Sequence, residues 1–99
     1  MNKNLLEGRS AVVTGAGQGI GEAIARRLAD FGASVIITDI NAEKGEAVAA
    51  SIRAEVQNAE FRRLDVTDFD HLRDNIFALR EVYGRIDIWV NNAGITGTA

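Results

Sequence analysis

The residues best suited to chemistry in this chain are Thr14-Gly15-Ala16-Gly17-Gln18-Gly19-Ile20-Gly21, which follow the apolar run Ala11-Val12-Val13 and open an amphipathic stretch. Glycine reaches φ > 0 without steric penalty and puts no Cβ between a ligand and the backbone. A glycine cluster between a strand and a helix therefore aims bare N–H groups at whatever sits at the helix N-terminus, and a phosphate is the natural occupant. The spacing is not the dinucleotide fingerprint G-x-G-x-x-G, because counting from Gly15 puts Ile20 at the third glycine position. What fits is T-G-x-x-x-G-x-G, from Thr14 to Gly21. A tight strand-to-helix turn with no ligand is the alternative reading of the same residues.

Three further segments follow apolar runs: Asp39-Ile40 after the second, Asp65-Val66 after the third, and Asn91-Asn92-Ala93-Gly94 after the fourth. With the glycine loop, this order of motifs resembles the short-chain dehydrogenase/reductase family. In the loop, Gly15 permits the turn, Gly19 allows a pyrophosphate to approach, Gly21 lets the helix pack close to the sheet, and N–H groups near Ile20 receive the phosphate. Asp39 lies 18 residues after Gly21, near the spacing of about 20 at which an acid accepts from the adenosine ribose hydroxyls. The resemblance implies that Asp65 and the Val66 backbone contact adenine, and that Asn92, Ala93 and Gly94 lie along the adenosine ribose while Asn91 bridges strands. It also gives Gln18 the position where NADP-preferring relatives often carry a basic residue. The implied cofactor contacts are thus Gly15, Gln18, Gly19, Ile20, Gly21, Asp39, Ile40, Asp65, Val66, Asn92, Ala93 and Gly94, with NAD(H) as the cofactor. The plainer readings are a solvated, helix-capping acid at Asp39 and a helix-entry acid at Asp65.

The elements that must position these residues are read from periodicity. Arg9 to Thr14, Ser34 to Thr38, Glu60 to Asp65 and Ile86 to Val90 read as strands, the third less apolar and so near an edge. The first helix carries the stripe Ile20, Ala23, Ile24, Arg27, Leu28 and Phe31, and Gly32 stops it. The second runs from Ala42 to about Gln57 with Asn41 as N-cap and Gly45, Val48, Ala49, Ile52 and Val56 inward. The third opens at a Thr67 cap, presents Phe69, Leu72, Ile76, Leu79 and Tyr83 inward, and ends at Gly84. Alternating strands and helices give an α/β fold, a Rossmann-like doubly wound parallel sheet of expected order 3-2-1-4. Ligands of such sheets bind where the chain reverses its direction of travel, above the first strand. All four motifs belong to that rim.

Composition bounds the rest. The 99 residues are 46% hydrophobic and 25% charged, which describes one soluble globular domain. A net charge of −3 offers no basic stripe for nucleic acid or an anionic membrane. With no cysteine there is neither disulfide nor thiolate metal site, and one histidine, His71, makes no metal cluster. No apolar run approaches a signal peptide core or a membrane span, so a cytoplasmic location is expected. His71 reads as a surface residue, Arg62-Arg63 as a solvated face, and Trp89 and Val90 as core.

The chemistry of the resembled family needs a downstream serine and a Tyr-x-x-x-Lys. Here the one tyrosine, Tyr83, is followed four positions on by Asp87, and Ser10, Ser34 and Ser51 lie too early. No catalytic residue is assigned. The expectation is the NAD(H)-binding half of an oxidoreductase acting on alcohols and ketones, as a fragment or truncated reading frame, with a non-catalytic nucleotide-binding or interaction module as the alternative. The substrate is expected only if the missing half is present. Strand 86–90 is expected to expose an apolar edge through which copies associate.

Overall fold

The computed structural model describes residues 5–55 and 57–92. Its elements alternate: β1 (Ser10–Val13), α1 (Gly19–Asp30), β2 (Ser34–Asp39), α2 (Ala42–Arg53), β3 (Ala59–Arg63), α3 (Phe69–Tyr83) and β4 (Ile88–Val90). The strands form one parallel sheet in the order β3-β2-β1-β4, with β3 at an edge, as its composition predicts. β1 is central: Val12 stands level with Ile36 of β2 and with Trp89 of β4.

Both faces of β1 and β2 are covered, which is why these strands read as unbroken apolar runs. Ala11, Val13, Val35 and Ile37 face one layer, built from Ala25 and Ala29 of α1 and Val48, Ala49 and Ile52 of α2. Val12 and Ile36 face the other, under Leu79 of α3. α2 buries Gly45, Val48, Ala49 and Ile52, the face its spacing predicts, and the ring of Phe61 lies where a Cβ on Gly45 would stand. Asn41 caps it by accepting from the Lys44 N–H at 3.0 Å. The helix ends at Arg53, short of Gln57, and Val56 lies outside the described residues. α1 ends as predicted at Gly32 (φ 98°). There the Gly32 N–H bonds the Ala29 carbonyl at 3.0 Å and the Ala33 N–H bonds the Leu28 carbonyl at 3.1 Å, a Schellman closure.

Five expectations need correction. The fully buried stripe of α1 is Gly21, Ala25 and Ala29, about 100° from the larger apolar residues. Ile20 is 68% exposed, while Ile24 and Leu28 only flank the core. The helix lies so close to the sheet that only small side chains fit between them. The N-cap of α3 is Asp68, which accepts from the His71 N–H at 3.1 Å; Thr67 is engaged by Asp65 instead. Leu79 is the one fully buried residue of α3, and Phe69, at the start of its predicted stripe, is 86% exposed. Trp89 is 36% exposed, although it stands level with Val12 on the face that α3 covers over β1 and β2. Arg62 is half-buried rather than solvated, and its Nη1 donates to Asn75 Oδ1 at 3.2 Å.

One contact that the periodicity does not suggest closes the lower end of the sheet. Asp87, just before β4, accepts from the Ser10 N–H at 2.9 Å and pairs with Arg85 at 2.7 Å and Arg9 at 3.3 Å. No helix among the described residues is long and apolar enough to cross a membrane.

Candidate functional site

The C-terminal ends of the four parallel strands surround a cleft of about 650 Å³. Gly15, Gln18, Gly19 and Ile20 form one wall, Asp39 and Ile40 follow β2, Asp65 and Val66 follow β3, and Asn92 follows β4. The sequence motifs that end separate strands are thus one concave surface. Gly21 is buried behind it, and Ala93 and Gly94 lie outside the described residues. Leu64 and Thr67 also line the cleft; in that segment the sequence motif points only to their neighbours Asp65 and Val66.

The glycine loop has the backbone that its composition permits. Gly15 (φ 63°) and Gly19 (φ 60°) sit in the left-handed region, and a Cβ on Gly19 would meet nothing within 4 Å, so that side of the loop is open. Gly21 is tight for a different reason. A Cβ there would collide with the Gly15 carbonyl and stand 2.6 Å from Asn92 Nδ2. The glycine therefore lets α1 approach its own entry loop as well as the sheet.

The loop is tied down from the two strands that flank β1. Asn92, 5% exposed, donates from Nδ2 to the Gly15 carbonyl at 3.2 Å. The Ala16 N–H bonds the Thr38 carbonyl at 2.9 Å, and the Thr14 N–H bonds the Val90 carbonyl at 3.0 Å. Thr14 Oγ1 stands 3.4 Å from Asn91 Oδ1. Both asparagines hold structure together, and Asn92 also faces the cleft.

Asp39 ties the loop to β2. Its Oδ2 accepts from the Gly17 N–H and its Oδ1 from the Asn41 N–H, both at 2.9 Å. Each carboxylate oxygen keeps a lone pair for a further donor. Asp65 is held in a local turn: the Thr67 hydroxyl at 2.6 Å and the Thr67 N–H at 2.9 Å both donate to its Oδ1. These bonds, the hydroxyl first, keep its carboxyl below the ordinary carboxylate range.

The three helices differ at their N-termini. Asn41 caps α2 and Asp68 caps α3, but Gln18 makes no side-chain bond to the first turn of α1. The first-turn N–H groups of α1 thus lack the side-chain acceptor that helix ends require, and they open onto the cleft beside Gly19. Anion-seeking donors stand beside a carboxylate with spare acceptor capacity, and Ile40, Leu64 and Val66 add apolar wall. This donor set fits a nucleotide that carries phosphate, ribose hydroxyls and a flat base.

Tyr83 is not part of it. Its hydroxyl pairs with Glu60 at the opposite end of the sheet, and desolvation first, then Glu60, pushes its pKa up. That is the wrong direction for a proton-transfer tyrosine. His71 is not among the lining residues of the cleft; its ring packs against Asn75, with Nδ1 3.3 Å from the amide.

Comparison with known proteins bears on the same residues. The family model described as short chain dehydrogenase matches residues 9–99. The 2,3-dihydro-2,3-dihydroxybenzoate dehydrogenase of Bacillus subtilis is 44% identical over 95 residues, covering 96% of this chain and 36% of that protein. Zerumbone synthase of Zingiber zerumbet is 45% identical over 92 residues, covering 93% of this chain and 34% of that one. A metagenomic short-chain oxidoreductase crystallised in complex with NADP superposes with a TM-score of 0.86 at 42% identity, covering 89% of this chain and 40% of that one. The chain spans about a third of the length of the curated relatives it matches.

Proposed function

Since this chain belongs to the short-chain dehydrogenase family, whose members bind a nicotinamide dinucleotide, we propose that its cleft holds NAD(H) in preference to NADP(H) and serves a cytosolic oxidoreductase acting on alcohols and ketones. The observation that carries this reading is the pairing of the uncapped α1 N-terminus with Asp39 on one cleft. The first seeks a pyrophosphate and the second seeks ribose hydroxyls.

In this reading the N–H groups around Gly19 and Ile20 take the pyrophosphate. Asp39 takes the adenosine ribose, and Asp65 and the Val66 backbone take the adenine edge between the apolar flanks of Ile40 and Leu64. The family resemblance also assigns Ala93 and Gly94 to the ribose; both lie outside the described residues. The nicotinamide supplies the hydride acceptor or donor when bound. These 99 residues bind and orient; no residue among them is given the role of proton donor.

A second reading, a nucleotide-binding module without turnover, draws on one observation: the single tyrosine faces Glu60 rather than the cleft. Calorimetric titration with NADH tests the first step shared by both. Binding that disappears in Gly19→Glu supports the assignment, since that side chain would fill the open side of the loop. An absence of binding, or binding indifferent to that substitution, overturns it.

A further inference from the structure

On the other side of the glycine loop from the cleft lies a second recess of about 320 Å³, between α1 and the first turn of α2. Lys44 crosses it. Its backbone N–H is committed to the Asn41 cap, but its side chain reaches the loop, where Nζ donates to Gln18 Oε1 at 2.5 Å. The crossing passes over Gly17. A Cβ on Gly17 would stand 3.1 Å from Lys44 Cβ and 2.8 Å from Asp39 Oδ2, so the lysine stem and the carboxylate flank the same point of backbone.

Gln18 walls both the recess and the cleft. With its amide oxygen oriented toward the ammonium, its N–H₂ is left to donate. The other cation of the recess, Arg26, is committed to Glu22 at 2.9 Å. Among the described residues Lys44 has no carboxylate partner; its charge is bonded to a neutral amide. A donor and a cation thus act on the same loop that Asp39 holds through Gly17, and Asp39 is the residue that opposes a phosphate on the ribose 2′-oxygen.

We propose that Lys44 sets the cofactor specificity of the site as a positioning residue. Acting through Gln18, it turns a hydrogen-bond donor and a positive field toward the ribose 2′-position, so that the preference for NAD(H) imposed by Asp39 is shallow. This rests on the reading that the cleft takes the adenosine end of a dinucleotide. It predicts a dual-cofactor site whose selectivity is adjusted from α2.

The test uses the 99-residue chain and two probes of the adenosine end, AMP and adenosine 2′,5′-bisphosphate, in calorimetric titrations. Lys44→Met keeps the stem and removes the charge. It should weaken the bisphosphate roughly tenfold, or about 1.4 kcal/mol, and AMP less than about twofold; Lys44→Arg should restore most of the loss. A purely structural lysine would weaken both ligands equally, and an irrelevant one would change neither; either result overturns the proposal. Salt gives an independent arm should the methionine variant not fold. In a chain of net charge −3, screening alone favours the more negative ligand. A local cation reverses this, so the bisphosphate-to-AMP affinity ratio should fall as salt rises, and a ratio that holds or rises overturns the role of Lys44. If the unmodified chain binds neither probe, the cofactor reading fails and this inference falls with it. If it binds both while Lys44→Met changes neither, the cofactor reading stands and Lys44 alone is excluded.

Discussion

Asp39 Oδ2 holds the Gly17 N–H at 2.9 Å, so the carboxylate at the end of β2 also shapes the loop after β1. The acid that would choose the cofactor is part of the seat for its phosphates. Asp39→Ala should therefore weaken NAD(H) about tenfold, or about 1.4 kcal/mol, with a smaller loss for NADP(H). In the unmodified chain, like charges about 5 Å apart at an effective dielectric of about 20 cost roughly 3 kcal/mol, reduced by screening in an open cleft. Titration with both cofactors checks this. Equal affinities, or tighter NADP(H), would remove the NAD(H) assignment. Gln18→Arg should add NADP(H) affinity.

Gly21→Ala should destabilise the chain by about 1–3 kcal/mol, because the new methyl meets the Gly15 carbonyl, which is backbone and cannot swing aside. For a domain of this size the thermal midpoint should drop by about 4–8 °C per kcal/mol. An unchanged midpoint in a thermal melt followed by circular dichroism would mean that the loop and α1 are not in contact as described.

Acid stability should depend on Asp87. The Ser10 N–H, with Arg85 and Arg9, holds its carboxyl below the ordinary value. A carboxyl whose folded pKa lies below its unfolded pKa stabilises the fold above the unfolded value and loses that contribution as pH falls through the folded one. The loss belongs below about pH 4, the usual Asp range. Asp87→Asn should lower stability at neutral pH and flatten the acid limb of a melting-temperature profile between about pH 3 and 7. A variant profile parallel to the unmodified one would exclude Asp87 from the transition.

The 99-residue polypeptide should self-associate through β4. Among the described residues this strand is bonded to β1 alone, and it carries an exposed Trp89. Trp89→Lys should shift the sedimentation profile toward monomer, since a lysine on an edge discourages pairing. Sedimentation of the unmodified chain as monomer at high concentration would contradict this.

The chain alone, saturated with NADH, should not reduce carbonyl compounds. Hydride arrival puts negative charge on the carbonyl oxygen. Positioned donors are worth about 3–4 kcal/mol each in other enzymes, and general acid catalysis about 10²–10⁴-fold. Tyr83 faces away from the cleft with its pKa raised. NADH consumption that survives purification from host enzymes, and vanishes in Gly19→Glu, would show a catalytic group within these residues.

Strand order, the α2 cap and the α1 stop were legible; the α3 cap, placed at Thr67, falls one residue later at Asp68. Asn41 caps α2 because a short amide reaches the N–H three residues on, and Gly32 ends α1 because φ 98° suits glycine. The buried face of α1 was not legible. Hydropathy ranks Ile20 and Leu28 above Gly21 and Ala25, whereas close approach to the sheet selects the smaller residues. Nor does sequence spacing announce contacts between distant segments, such as Asp87 with Ser10 or Lys44 with Gln18. Of the candidate site, the rim residues were readable because all motifs end parallel strands. The two walls Leu64 and Thr67 were missed because neither residue type signals a ligand by itself.

The tethering of the glycine loop bears on modular engineering. Asn92 reaches back across 77 positions to Gly15, and Asp39 across 22 to Gly17. An eight-residue peptide copied into another strand–helix junction would carry the glycines and lose the two side chains that choose among the many shapes glycines allow. The smallest transplantable unit is therefore the rim of three neighbouring strands, β2, β1 and β4, with the residue that follows each one.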